Sequence, residues 1–217
     1  MKLDSDGILL GLRPINERDS VAYIFTREYG MLSGVMRGAV VAKKNRPLVG
    51  QVGAASWNAR LDTQLGAFHW EPAENVGARL MLDMRKLAFM NAAFALLCAL
   101  LPEREQYTNL YDLTISMLRD LDGTDSQSVY MNWEIALLHD LGFALDLTHC
   151  AQCGRVDNLN YLSPKTGRAV CDDCAAPYVK KLYKLPINLD TTLHFIVAVC
   201  TQMGIDTPTA RLYLARL

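Results

Sequence analysis

The chain is 217 residues long, 51% hydrophobic and 21% charged, with a net charge of −1. That apolar content excludes a disordered chain, and the length suits two or three small domains better than one large core. The most apolar stretch, residues 87–101, contains Asn91 and stops at Pro102; a bilayer span needs about 18 apolar residues or more, so this reads as a buried helix and not a membrane anchor. The first residues, Met1-Lys2-Leu3-Asp4, bring in an acid where a secretory signal begins with a basic patch and an apolar run, which predicts a cytoplasmic protein.

Charge is spread unevenly. Residues 1–79 hold 10 basic and 8 acidic side chains, residues 80–149 hold 4 and 10, and residues 150–217 hold 8 and 5. Two basic ends around an acidic middle predict local anion binding that the near-neutral total conceals.

In chain order, residues 7–12, 21–26, 31–36, 49–57 and 65–70 are short runs rich in apolar, β-branched or aromatic residues, separated by turn signals at Pro14, Asn16 and Asp19, at Glu28 to Gly30, at Asn45 to Pro47 and at Asp62-Thr63. Five short strands predict a small barrel; on pattern alone an OB-fold and an SH3-like barrel fit nearly equally. Gly34 and Gly38 within the third run suit a bulge or bend. After Pro72 the period becomes helical. Leu80, Met84, Leu87 and Phe94 predict one long helix over 75–101 that Pro102 ends. Further helices are predicted over 107–121 and 128–141, the latter stopped by Gly142. Short helices over 176–185, 191–203 and 208–217 close the chain. The expected division is a barrel over 1–74, a helical bundle over 75–148, a ribbon over 149–175 and C-terminal helices over 176–217.

The strongest motif is a pair of cysteine knuckles, Cys150 with Cys153 and Cys171 with Cys174, seventeen residues apart. Two thiolates two residues apart can grip one ion, and two such knuckles complete the sulfur tetrahedron that zinc accepts. Runs 159–162 and 168–170 around Ser163 to Gly167 read as the hairpin of a zinc ribbon. Four sulfurs leave no position for water, so the ion is structural. His149 is read as a bystander beside Cys150, and Cys98 and Cys200 as buried small hydrophobes. Cysteines spread in this way suit a reducing compartment.

Arg13, Arg18, Arg27, Arg37, Lys43, Lys44 and Arg46 fall in one window with only Glu17, Asp19 and Glu28 as acids. Placed in turns and at strand ends, with Tyr23, Phe25 and Tyr29 nearby, they predict a cationic groove with stacking rings for single-stranded nucleic acid. Lys180, Lys181 and Lys184 with Tyr178 and Tyr183 form a second basic candidate; such runs are usually a solvated face. Phosphate loops, nucleophile elbows and metalloprotease helices are absent from the sequence, and adjacent His139 and Asp140 should diverge on a helix. These readings predict a non-enzyme.

Gly7-Ile8-Leu9-Leu10, Arg13-Pro14 with Glu17, Arg18 and Asp19, Thr26-Arg27-Glu28-Tyr29-Gly30, and Arg37-Gly38-Ala39 with Lys43-Lys44 resemble the N-terminal domain of the RecO family of bacterial DNA repair proteins. The order of barrel, bundle and ribbon is similar to that family along nearly the whole chain. The resemblance implies an α+β multidomain architecture with an N-terminal OB-fold barrel, a helical bundle and a four-cysteine zinc ribbon. It further implies a recombination mediator that binds single- and double-stranded DNA, anneals complementary strands, and acts with RecR to help RecA onto DNA coated by single-strand-binding protein (SSB). It makes Arg13, Arg18, Arg27, Arg37, Lys43, Lys44 and Arg46 the expected DNA contacts, and implies a pocket for the SSB C-terminal tail, which we expect near Lys180, Lys181 or Lys184. The segment after the ribbon is short and the chain less basic than is usual in the family, which predicts weak DNA binding at high salt. Two other classes fit parts of the sequence: a zinc-dependent thiol redox switch, and a scaffold that binds only proteins.

Overall fold

The computed structural model describes residues 1–42, 46–61 and 64–215. These form two compact units, one holding Met1–Tyr130 with Pro208–Arg211 and the other Met131–Thr207 with the residues from Leu212 on. Among the described residues, no helix is long and apolar enough to cross a membrane.

The first unit opens with five strands: β1 (Lys2–Pro14), β2 (Ser20–Thr26), β3 (Gly30–Met36), β4 (Gln51–Asn58) and β5 (Gly66–Asn75). They close in the order β1-β2-β3-β5-β4, with β3 and β5 parallel and the other pairs antiparallel. This order decides between the two small barrels in favour of the OB-fold. The two-residue period of a strand explains the filling. Ala22 and Ile24 on β2, and Ala55 and Trp57 on β4, face the interior with Leu3, Leu9, Leu32, Met36 and Phe68.

Bulges fall between Leu9 and Gly11 and between Val52 and Gly53, not in β3 where Gly34 and Gly38 had suggested one. Gly34 instead allows β5 to approach, since a Cβ there would lie 2.9 Å from the Phe68 ring and 3.0 Å from the Gly66 carbonyl. Gly38 lies beyond the end of β3, in the turn that follows.

The outer barrel surface is partly covered by helices of the same unit. Helix α2 (Met84–Leu100) packs on β1, and Phe25 meets Tyr111 of α3 (Thr108–Asp120) edge-on at 5.6 Å. The single helix expected over 75–101 is broken. β5 continues to Asn75, α1 (Gly77–Leu80) makes one turn, and Asp83, in extended conformation, caps α2 by accepting from the Arg85 and Lys86 amides at 2.9 and 3.2 Å. Apolar spacing ran across this break and concealed it. Cys98 lies on the exposed side of α2, contrary to expectation, while Cys200 is buried. A helix apolar nearly all round carries no stripe from which to tell its covered face.

Between α2 and α3 the chain is strapped along β3. The Arg104 amide donates to Met31 O at 2.9 Å, Ser33 Oγ donates to Glu103, and the Arg104 guanidinium lies over the Trp57 ring, 4.7 Å from its centroid. A Cβ on Gly30 (φ +64°) would fall 1.7 Å from the Glu105 carbonyl oxygen, so only glycine admits the strap.

Helix α4 (Ser126–Asp140) begins in the first unit and ends in the second, where Gly142 (φ +83°) stops it as expected. The second unit contains β6 (Leu159–Leu162), β7 (Ala169–Cys171) and α5 (Asp172–Ala175). The helix expected over 176–185 is instead a 3₁₀ turn at Val179–Lys181 followed by β8 (Tyr183–Lys184), which pairs with β6. The ribbon sheet thereby gains a third strand, a tertiary pairing that local spacing does not report. Helix α6 (Leu189–Met203) is capped by Asn188, which accepts from the Thr191 amide at 2.9 Å, and ends at Gly204. Helix α7 (Thr209–Leu214) follows.

Candidate nucleic-acid interface and metal centre

The β1–β2 turn is organised by short polar side chains. Asn16 Oδ1 accepts from the Arg18 and Asp19 amides at 2.8 and 2.7 Å, and Asp19 Oδ1 accepts from the Gly38 amide at 2.8 Å. The Val40 amide donates to the Arg18 carbonyl at 3.1 Å. The turn is thus clamped to the residues after β3, and exposed Arg18 and Arg37 are brought to one end of the barrel. The Gly38 amide, then Asn16, hold the Asp19 carboxyl below the usual carboxylate range, and both arginines add to the effect. Arg13, at the end of β1, is exposed on the same turn, and Arg46 is exposed beside Gln51, whose Nε2 donates to its carbonyl at 3.4 Å. A cavity of about 160 Å³ opens here, lined by Arg37, Ala42, Pro47, Phe68, His69 and Trp70 among others. Trp70 Nε1 donates to Gln51 Oε1 at 3.2 Å, which fixes the indole at the rim.

Arg27 is placed differently. Its Nε and Nη2 each donate to Asp112 of α3 at 2.9 Å, a two-bond fork that holds the Asp112 carboxyl below its usual range. Of the expected stacking rings, Phe25 is fully buried, Tyr23 is half-buried on β2, and Tyr29 packs against the barrel core. Lys43 and Lys44 lie outside the described residues. Lys180, Lys181 and Lys184 are exposed, the first two on the 3₁₀ turn and the third on β8. Sequence reasoning did not single out Gln51, Trp70 or Asp112. The spacing Asn16 to Asp19 was a legible turn signal, but partners 19 and 85 residues away leave no local trace.

In the second unit the hairpin of β6 and β7 brings the knuckles together, with Leu159 opposite Cys171. The sulfurs of Cys150, Cys153, Cys171 and Cys174 all lie within 4.8 Å of one another, and those of Cys153 and Cys171 are 3.7 Å apart. Zinc bound to sulfur at about 2.3 Å would give a tetrahedron with edges of about 3.8 Å, so the donor set and its spacing fit that ion.

Gly154 (φ +75°) turns the first knuckle, its amide donating to Cys150 O at 3.0 Å. Arg155 of that knuckle reaches Asp173 of the second at 2.6 Å. Burial opposes ionisation of Cys150, but the amides of Cys171, Cys153 and Gln152 outweigh it and draw the thiol down to about 6; Cys174, hydrogen-bonded by the Cys171 and Cys153 thiols, is pushed up to about 12. His149 Nε2 accepts from Arg168 Nη2 at 2.8 Å, an engagement that turns it to Arg168. His139 and Asp140 do meet, contrary to expectation, at 3.3 Å at the end of α4, where His139 is exposed and Asp140 partly buried.

Family models for the N terminal and the C terminal of recombination protein O match residues 1–74 and 81–196. The chain belongs to the RecO family. It is 40% identical over 206 residues to the DNA repair protein RecO of Dinoroseobacter shibae, covering 92% of this chain and 85% of that one. Identity to the RecO of Cereibacter sphaeroides is 38% over 192 residues, covering 87% and 79%, and to that of Roseobacter denitrificans 40% over 190 residues, covering 86% and 78%. Membership of the RecO family gives the chain a role in DNA repair.

Proposed function

We propose that this protein is a recombination mediator without catalytic residues: it binds single- and double-stranded DNA, anneals complementary strands and, with RecR, helps load RecA onto SSB-coated DNA in the cytoplasm. The observation that carries the reading is the clamp of Asp19 on Gly38, which gathers Arg18 and Arg37 at one end of the barrel. A cationic surface that neutralises phosphates on two strands at once removes the repulsion between them, and base pairing completes the annealing. In this reading Arg13, Arg18, Arg27, Arg37, Lys43, Lys44 and Arg46 contact DNA, with Arg27 available only when Asp112 releases it. The four cysteines hold one structural zinc, the barrel over 1–74 is the DNA-binding domain, and the SSB tail docks beside Lys180, Lys181 or Lys184.

The test is annealing of complementary oligonucleotides, bare and SSB-coated, by zinc-loaded protein across a salt series. Acceleration that fades as salt rises is expected. Absence of any acceleration in dilute buffer would overturn the reading and leave the protein-only scaffold.

A further inference from the structure

A cavity of about 710 Å³ lies within the first unit, away from the basic end of the barrel, between the β4–β5 hairpin and α3. Its apolar lining includes Ala54, Pro72 and Ile115. Two of its polar groups stand out. Tyr111 lines the cavity at only 4% exposure, and its hydroxyl, which has no hydrogen bond to any described residue, is open to the cavity and free to take a partner there. The Asp6 carboxylate, also on the wall, is likewise unpaired among the described residues.

The other charges of the wall are engaged: Arg27 by Asp112, Arg119 by Glu74, and Glu71 by His69. Arg27 is matched by Asp112, Arg119 shares Glu74 with Arg79, and the three acids and two arginines of the wall leave it a formal −1, so what the cavity offers a ligand is a carboxylate and a phenol oxygen. Burial first, then Asp6, Glu28 and Asp112, oppose ionisation of the phenol, so the group stays a neutral hydroxyl. A phosphate would be repelled. A bare metal ion is poorly served as well, since the four cysteines are the set of metal-type donors that converges among the described residues. An elongated cation with several donors and an apolar stem matches better, because a guanidinium can bond a carboxylate and a neighbouring oxygen together while its methylenes lie on Pro72 and Ile115.

We propose that this cavity is a docking site for an arginine side chain presented by a protein partner, held by Asp6 and the Tyr111 hydroxyl. The proposal does not depend on the DNA-binding reading, with which it shares only Arg27 on the cavity wall.

The test is a titration of the whole chain, carrying ¹³C-labelled tyrosine rings, with a short glycine-flanked arginine peptide, followed by nuclear magnetic resonance. The Tyr111 resonances should shift saturably. The same peptide with neutral citrulline, and the arginine peptide against Asp6→Asn, should each bind about tenfold more weakly, the worth of one charge-assisted hydrogen bond. Asp6 is exposed, so the variant is expected to fold; Asp4→Asn, whose carboxylate is not on the cavity wall and pairs with Lys2, is the control and should bind as the parent does. Equal binding of arginine and citrulline peptides, or undiminished binding by Asp6→Asn, would overturn the proposal. So would a Tyr111 shift caused by oligodeoxythymidylate and competitive with the peptide, which would make the cavity a nucleic-acid site.

Discussion

Replacing Arg18 and Arg37 together by Ala tests the clamped end of the barrel. Both side chains are exposed, and the contacts that build the clamp run through the Arg18 carbonyl, the Gly38 amide and Asp19, all kept in the double variant. Thermal stability should therefore be unchanged and DNA affinity should not. Each phosphate neutralised on a single strand contributes about 0.7 to the slope of log K against log salt, so Arg13, Arg18, Arg37 and Arg46 together give about −2.8 and the remaining pair about −1.4. Over a fourfold rise in salt the parent should lose affinity about 50-fold on this account and the double variant about 7-fold. Lys43 and Lys44 add the same increment to both proteins and leave the difference intact. Fluorescence anisotropy of a labelled oligonucleotide across the salt series measures both slopes. Parallel slopes, or a loss confined to one base composition, would refute the reasoning, because phosphate contacts carry no sequence information.

Asp112→Asn should free the Arg27 guanidinium and steepen the salt slope by about 0.7, read in the same assay; because bonding to Arg27 lowers the Asp112 pKa, the pair is intact above the usual carboxylate range and is lost as pH falls through the depressed value, which a pH series of oligonucleotide binding on the parent would follow. Cys171→Ser should abolish stoichiometric zinc and expose residues 150–174 to protease, since a structural zinc contributes on the order of 10 kcal/mol to a small domain; retained metal measured by atomic emission would contradict the site. Zinc affinity, measured by competition with a chelating dye, should fall more steeply with acid below about pH 6 than above it, because the proton of Cys150 then joins those competing with the metal. Gly30→Ala should cost roughly 2–4 kcal/mol by denaturant unfolding, combining left-handed strain at φ +64° with loss of the Arg104 to Met31 bond; wild-type stability would mean that the strap does not hold in solution.

What was legible in the sequence was whatever repeats locally. Short runs of apolar, β-branched and aromatic residues between turn signals located all five strands, and the knuckle spacing located the four cysteines that the hairpin brings together. What was not legible depended on partners far along the chain. The closure of β3 on β5 chose the barrel type, yet it arises from pairing Gly34 with Gly66 and leaves no periodicity. The break at Asp83 hid because helix caps are single residues within a continuous apolar run. The strand Tyr183–Lys184 exists only because β6 offers it an edge, so its own sequence, rich in lysine, read as helix. At the basic end, the residue types were visible but not their state of engagement: Arg27 and Arg37 look alike in sequence, and one is forked onto Asp112 while the other is exposed to solvent.

That contrast explains how a chain of net charge −1 can present a cationic end. The acidic middle of the chain does not dilute the basic barrel uniformly. Two of its carboxylates are spent locally, Asp112 on Arg27 and Asp122 on Lys86, while Glu74, at the end of β5, takes Arg79 and Arg119. All of these pairs lie on the helical side of the first unit. The β1–β2 turn contributes Glu17 and Asp19 against Arg13 and Arg18 at its edge and within it, and the Asp19 carboxylate is turned inward to the Gly38 amide. At physiological salt, charges beyond about 8 Å are largely screened, so a phosphate at the turn responds to Arg13, Arg18 and Arg37 far more than to acids on distant helices. Lowering the salt lengthens that range and brings the acidic helices into play. Affinity gained on dilution should accordingly flatten below the simple linear slope, a curvature that a uniformly basic protein would not show.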